Sequence, residues 1–291
     1  MTEPEQVTDP DDPLVHELAE RQRHFRLQHR YVDPEEGAAA ALALVQELLA
    51  DSRLLRTDVG WLWLGPDGER TPVFDARAVD PDAVVALRDL AAATAGSPLA
   101  ASVLPGEPTR EAFVADGSFE RTATTMRLDL RAPLPGDHLA ERVSVSPMGD
   151  AELAAYADGA VAAYAREREE SGESAALALA TARASFDELL PGGRAGPDQH
   201  LMSVRVGDTV AGLVWVCERW PAQAWVYDVE VDPTFRGRGV GAAAMVHGAR
   251  LARDLGHRWL GLNVFGPNTH ARRLYERLGY VVEEEHWARR S

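Results

Sequence analysis

A chain of 291 residues, 45% of them hydrophobic, carries apolar material for about two globular domains. Its formal charge of −16 argues against a nucleic-acid partner or an anionic membrane surface, since both reward basic patches. The single cysteine, Cys217, excludes an internal disulfide and a cysteine metal cluster, and it suits a reducing cytosol.

Residues 1–13 are acidic, carry three prolines and lack the charged and apolar regions of a secretory signal, so a disordered tail is expected there. Further along, no apolar run reaches the length of a membrane span, and a soluble cytoplasmic protein is expected. Helical spacing runs from Leu14 to about Arg30 and from Glu35 to Leu49, the second opened by Asp33-Pro34. Strands are predicted at Gly60–Leu64 and Pro72–Ala76, a helix over Asp82–Ala95, a strand at Leu99–Leu104, a helix from Thr109 to Ala115 and strands from Phe119 to Leu130. Arg131–Asp137, with two prolines and a glycine, reads as a linker. The division is therefore a tail at 1–13, a first domain at 14–130, a linker at 131–140 and a second domain at 141–291.

The second domain opens with a strand near Arg142–Val145, then helices at Asp150 to about Arg168 and Ala175 to Leu190. Strands follow at His200–Val206 and Val210–Glu218, joined by the hairpin signal Gly207-Asp208. Glu167, Glu169, Glu170 and Glu173 could attract a cationic amine, although a solvated helix end accounts for them as well. Trp215, Trp220 and Trp225 lie on or beside the central strands and read mainly as core. His200, His257 and His270 have no partners at metal spacing, and no metal site is assigned.

The alternating strand Ala224–Val231 runs into Asp232-Pro233, and Gly237, Gly239 and Gly241 then open an Ala-rich helix that runs to about Leu255. Such a loop can cradle a phosphate. The first helical turn offers unpaired amides at the positive end of the macrodipole, the glycines remove Cβ atoms from the approach, and Arg236 and Arg238 add charge. Gly237 to Ala242 also satisfies the dinucleotide pattern G-x-G-x-x-[GA]. In that motif the first glycine follows the strand directly and an acid comes about 20 residues later. Here Asp232–Arg236 intervene, and the next strand, Trp259–Val264, supplies Asn263 instead.

Arg236-x-x-Gly239-x-Gly241 after Val231-x-Pro233 resembles the pyrophosphate motif of the GCN5-related N-acetyltransferases, the GNAT superfamily. Asn263 to Tyr280, with Asn268, Leu274, Tyr275, Leu278 and Gly279, is similar to that family's second signature. The resemblance implies a GNAT fold of α/β (α+β) class, with a mixed central sheet flanked by helices. Laying Gly117 on Gly279 puts Phe113 on Tyr275 and Phe119 near Tyr280, while Val79–Val84 has neither glycine nor arginine where a cradle belongs. A degenerate GNAT-like first half in a tandem arrangement is one reading, and an unrelated α/β domain is the other.

The family likeness implies transfer of an acetyl group from acetyl-CoA to a primary amine of a small molecule, by direct attack in a ternary complex. The non-enzymatic alternative is an acyl-CoA-binding regulatory module. Coenzyme A would meet Arg236, Gly237, Arg238, Gly239, Val240 and Gly241 through its pyrophosphate, and the backbone of Val229 and Val231 through its pantetheine arm. Asn263 and Asn268 would join the same side, and Arg272 would meet the adenosine phosphates. Tyr275 would meet the coenzyme A sulfur and act as general acid when the thiolate leaves. For the base, Glu230 is the first candidate and Asp228 the second; both project from one face of their strand, opposite the valines. The family's usual glutamate on the next strand is replaced by Asn263. Monomer and homodimer stay open.

Overall fold

A computed structural model describes residues 3–266 and 268–290; Met1, Thr2, Pro267 and Ser291 lie outside them. Contacts divide the chain into two units, residues 1–125 together with 282–291, and residues 126–281. Residues 282–291, which the sequence division leaves in the second domain, thus pack in the first unit.

In the first unit the strands are β1 (Glu5–Val7), β2 (Arg53–Thr57), β3 (Gly60–Leu64), β4 (Thr71–Ala78), β5 (Leu99–Val103), the start of β6 (Phe119–Asp129) and β12 (Val281–Arg289). Their order is β1-β2-β3-β4-β5-β12-β6. Helices α1 (Pro13–Gln22), α2 (Pro34–Leu49), α3 (Ala83–Thr94) and α4 (Pro108–Val114) cover the sheet. The period-2 alternation of β3 sorts the core into two layers. Trp61 and Trp63 pack with Leu18 and Val45 of α1 and α2, while Leu62 and Leu64 pack with Leu87 and Phe113 of α3 and α4.

One expectation changes here, and two strands appear that the sequence reading does not assign. The tail is not wholly disordered: Glu5–Val7 pairs antiparallel with β2, and Val7 is buried against the α1 layer. One apolar side chain with three backbone pairings is enough to order a segment whose composition is otherwise solvating. Strand β2 carries Arg53 and Arg56 at its ends, which masks a buried Leu54-Leu55 pair from a pattern reading. Strand β12 has the unpromising sequence Val-Val-Glu-Glu-Glu-His-Trp, yet it pairs with β5 from Glu285↔Val103 to Ala288↔Ala100.

What makes β12 foldable is a buried ionic network. Arg26 donates to Glu284 at 2.6 Å, Arg21 to Asp75 at 3.1 Å and Arg110 to Asp75 at 3.0 Å. Burial pushes the Asp75 carboxyl up, but the Arg110 and Arg21 guanidiniums overcome it and leave it below the usual carboxylate range. Burial likewise opposes ionisation of Glu284, and Arg26 and His286 bring its pKa down to about 2.

The second unit has strand order β6-β11-β10-β9-β8-β7, with β7 (Ser144–Pro147), β8 (Gln199–Val206), β9 (Thr209–Trp220), β10 (Gln223–Val231) and β11 (Trp259–Phe265). Helices α5 (Asp150–Glu170) and α6 (Ala175–Leu189) bring Leu153, Tyr156 and Phe186 onto Leu201 and Trp215. Helix α7 (Val240–Asp254) lies against β9, so close that a Cβ at Gly248 would sit 3.3 Å from the Val214 and Val216 side chains. Cys217 is buried on β9, as the apolar run predicts.

Removing the charge of Asp75 leaves the buried Arg110 guanidinium without its carboxylate, while Arg21 keeps Glu107. Asp75→Asn is expected to destabilise the protein by about 3–5 kcal/mol in urea unfolding followed by tryptophan fluorescence. A loss below about 1 kcal/mol would show that the network carries no such weight.

Candidate active site

Strands β10 and β11 run parallel from Gln223↔Trp259 to Val226↔Leu262, and their register goes no further. Beyond that point β10 keeps its antiparallel partner β9 through Val231↔Gly212. The other edge of residues 227–231 therefore has no ladder from β11, and a cavity of about 230 Å³ opens there. A register shift between Val226 and Asp228 marks a bulge at Tyr227. Bulges re-aim side chains, and here both Tyr227 and Asp228 border the cavity.

Asp228, Val229, Glu230, Asn263, Asn268 and Tyr275 all line this cavity. Of the two acids the sequence proposes, Glu230 is exposed and Asp228 is half-buried. The Tyr156 hydroxyl donates to Asp228 Oδ2 at 2.8 Å. Burial and the neighbouring Glu230 raise the Asp228 carboxyl to about 7, and the Tyr156 hydrogen bond offsets only part of that. Glu167 is also raised, first by desolvation and then by Glu230 and Glu170. It stands on the cavity wall, whereas Glu173 is tied to Arg168 at 2.6 Å. The acidic run around α5 thus divides into a wall residue and a helix-end ion pair.

Tyr275 sits on α8 (Thr269–Arg277), a helix capped by the Asn268 side chain, which accepts from the Ala271 amide at 3.1 Å. Its ring packs on Tyr280, with centroids 5.8 Å apart, and only 7% of the residue is exposed. Burial, then Asp228 and Glu167, push its hydroxyl pKa up, so it stays protonated at neutral pH. Arg272, on the same helix, meets Glu276 at 3.1 Å.

The glycine loop lies at the end of β10. Asp232 caps the short turn Pro233–Phe235 by accepting from the Thr234 amide at 2.8 Å. Gly237 and Gly239 take φ of 74° and 83°, a left-handed backbone that side chains disfavour. Gly239 is the N-cap of α7, and the first helical bond runs from the Ala243 amide to the Gly239 carbonyl at 3.0 Å. The amides of Val240, Gly241 and Ala242 precede that bond and have no acceptor within the helix. Arg236 folds back, its Nε donating to the Val231 carbonyl at 3.1 Å, and Arg238 lies over the Phe235 ring at 5.6 Å. At Gly241 an added Cβ would come within 3.3 Å of Val231 Cγ2, so a small residue lets α7 approach β10.

Several neighbours were not legible in the sequence. Arg142 is one: a Cβ on Gly239 would lie 2.8 Å from its Nη1, which places a third guanidinium beside the loop. Tyr156 is another, for nothing in the α5 spacing marks it as the partner of Asp228. His200 and His257 both meet Glu218, at 3.1 and 3.3 Å, although the linear spacing shows no such grouping. Among the described residues no group of histidines, cysteines and acids fits a metal ion. No helix among them is long and apolar enough to cross a membrane.

Comparison with known proteins bears on the same region. The acetyltransferase (GNAT) family model matches residues 160–280, from within α5 to just past α8. An uncharacterized N-acetyltransferase of Bacillus subtilis is 31% identical over 146 residues, 47% of this chain and 92% of that protein. Streptothricin acetyltransferase of Streptomyces lavendulae is 31% identical over 149 residues, 46% of this chain and 77% of that protein. A solved GCN5-related N-acetyltransferase from Sphaerobacter thermophilus shares the fold over 91% of this chain and 90% of its own, with a TM-score of 0.51 and 16% identity. The cavity, the glycine loop and Tyr275 thus lie within the segment that the family model spans, and the chain belongs to the GNAT acetyltransferase family.

Proposed function

We propose that the second unit transfers an acetyl group from acetyl-CoA to a primary amine of a small molecule, by direct attack in a ternary complex. The observation that carries this reading is Asp228, whose carboxyl is raised to about 7 where β10 parts from β11, in the cavity that also holds Tyr275. The name of the streptothricin acetyltransferase relative supports a small-molecule acceptor.

The amides of Val240, Gly241 and Ala242, with Arg236, Arg238 and Arg142 around them, would receive the pyrophosphate. The free edge of Val229 and Val231 would receive the pantetheine arm as an added strand, and Asn263 and Asn268 lie along its path. Arg272 remains the candidate for the adenosine phosphates, in exchange for its contact with Glu276. The residues present fit an elongated anionic thioester: bare amides at one end and an unladdered strand edge beyond.

An alkyl ammonium of pKa near 10.4 costs about 4.6 kcal/mol to present neutral at pH 7. Asp228 takes that proton, with Glu230 at the exposed rim as the route to solvent. The neutral nitrogen attacks the thioester carbonyl, the C–S bond breaks, and the departing sulfur gains the hydrogen bond of the Tyr275 hydroxyl. A phenol that burial keeps protonated is a donor whose bond strengthens as thiolate charge develops.

The linkage has a definite sign. The folded state holds the Asp228 proton between the ordinary 3.8 and about 7, whereas the unfolded chain releases it, so this group's stabilising contribution is lost as pH rises through that window. The rate constant kcat/KM should therefore rise with pH through about 7 and level off. Asp228→Asn should lose that limb and about 10²-fold or more in rate, yet unfold at a higher temperature than the parent above pH 7. An unchanged pH profile in the variant would remove Asp228 as the base.

Tyr275→Phe should lower kcat by at least about tenfold, with coenzyme A affinity held within about twofold; unchanged turnover would remove its role. Gly239→Val, which forces a branched residue to a φ of 83°, should abolish the thermal shift produced by coenzyme A. NAD should leave the parent's melting temperature where it was. Coenzyme A binding without thiol release over a broad amine panel would make the unit a binding module instead.

A further inference from the structure

The cavity wall is chemically two-ended. Asp228 stands opposite Trp215 in the β9–β10 register, and Trp225 stands opposite Cys217. Arg219, four residues along β9 from Trp215, is about 13 Å away at the backbone. It also lines the cavity, from its exposed rim. Its guanidinium carbon lies 4.5 Å from the Trp220 ring centroid, 5.3 Å from that of Trp225 and 5.7 Å from that of Tyr227. The Tyr227 ring in turn lies 5.2 Å from Trp215, so the platform under the guanidinium continues into the packed interior of the unit.

A guanidinium held by its faces keeps its N–H edge for a planar anion, since rings engage the π surface and leave the donor fork unused. The other arginines near the cavity are spoken for: Arg168 is paired with Glu173 and Arg236 bonds the Val231 carbonyl. Among the described residues no carboxylate accepts from Arg219. Three rings gathered under one cation hold it in place without neutralising it. Plain coverage of tryptophan surface would need only the alkyl stem, not a guanidinium centred over the rings.

The geometry points to an acceptor that carries a carboxylate as well as its amine, the amine drawn in to Asp228 and the carboxylate docked on the Arg219 fork at the rim. The substrate class is a linear or branched amino carboxylate whose two charges are separated by several bonds, in place of a simple alkylamine or a polyamine. This rests on the cavity being the acceptor site of the proposed transfer. The acids on the wall bind the cationic end of any amine, and Arg219 adds selection by what the other end bears.

The test is binding before turnover. The protein saturated with coenzyme A is titrated calorimetrically with a homologous series of ω-amino carboxylates and with the matching amino alcohols. The carboxylates should bind at least about tenfold more tightly than their alcohols at the best chain length, a contrast of about 1.4 kcal/mol. Arg219→Gln should erase that contrast by weakening the carboxylates alone, and Arg219→Lys should restore part of it. Coenzyme A affinity should not move in either variant. Equal affinity for carboxylate and alcohol, no binding of any carboxylate, or an equal loss of both in Arg219→Gln would overturn the inference. Free-thiol release is then measured with the same compounds: a carboxylate preference in binding with no thiol released would sink the transfer reaction and leave the Arg219 site standing.

Discussion

The parting of two parallel strands governs the rest of the second unit. Once β10 and β11 stop pairing at Val226↔Leu262, two consequences follow together. Backbone groups of residues 227–231 lose one set of partners, and the space between the strand ends becomes a cavity. An unpaired edge inside a protein is a liability unless it is solvated or matched by a ligand. The chain supports the opening from the opposite side, where β9 follows β10 to its end. Gly212 of β9 lies so close that an added Cβ would collide with the Glu230 carbonyl oxygen. The bulge at Tyr227 then turns Asp228 toward the opening, where burial raises its carboxyl to about 7.

The first unit repeats the plan and resolves it differently. Strands β4 and β5 are parallel over Thr71↔Leu99 to Val73↔Ala101, with α3 between them and α4 after them, as β10, β11, α7 and α8 are arranged. Two residues past the last parallel pair stands Asp75 in one unit and Asp228 in the other. Asp75 meets Arg21 and Arg110 and is held ionised below the usual range. Asp228 meets the neutral Tyr156 hydroxyl and the Val229 backbone beside the acids Glu230 and Glu167, and burial raises its pKa to about 7. Phe113 packs on Phe119 at 6.0 Å much as Tyr275 packs on Tyr280 at 5.8 Å, but it brings no hydroxyl. Where one unit leaves its acid beside a neutral hydroxyl, the other ties its acid into an ionic lock.

What the sequence shows and what it hides follow from the range of the interactions concerned. The glycine loop, the Asn268 cap and the helices are local, set by φ, by the first helical turn and by apolar spacing, and they are legible residue by residue. The choice between Glu230 and Asp228 is not local. Strict alternation puts both on one face, and only the bulge at Tyr227 and the hydroxyl of Tyr156, 72 residues away on α5, separate their environments. Arg142 and Arg219 are equally invisible, because an arginine closing a short helical turn and a strand-end arginine carry no periodic signal. Strand β12 fails pattern reading for the opposite reason: its polar residues are not solvated but consumed by Arg26, Arg121 and the hydroxyls around His286.

Strand β12 also closes the sheet of the first unit. The first unit is built from residues up to Thr125 and from Val282 onward, so its sheet has a vacant place between β5 and β6 until β12 arrives. An unpaired sheet edge is a hazard wherever it is exposed. Glu284 answers that hazard. A carboxylate on the incoming strand is costly to bury anywhere except against Arg26 and beside His286 and Arg110, which makes the ionic network a register mark for β12 as well as a source of cohesion.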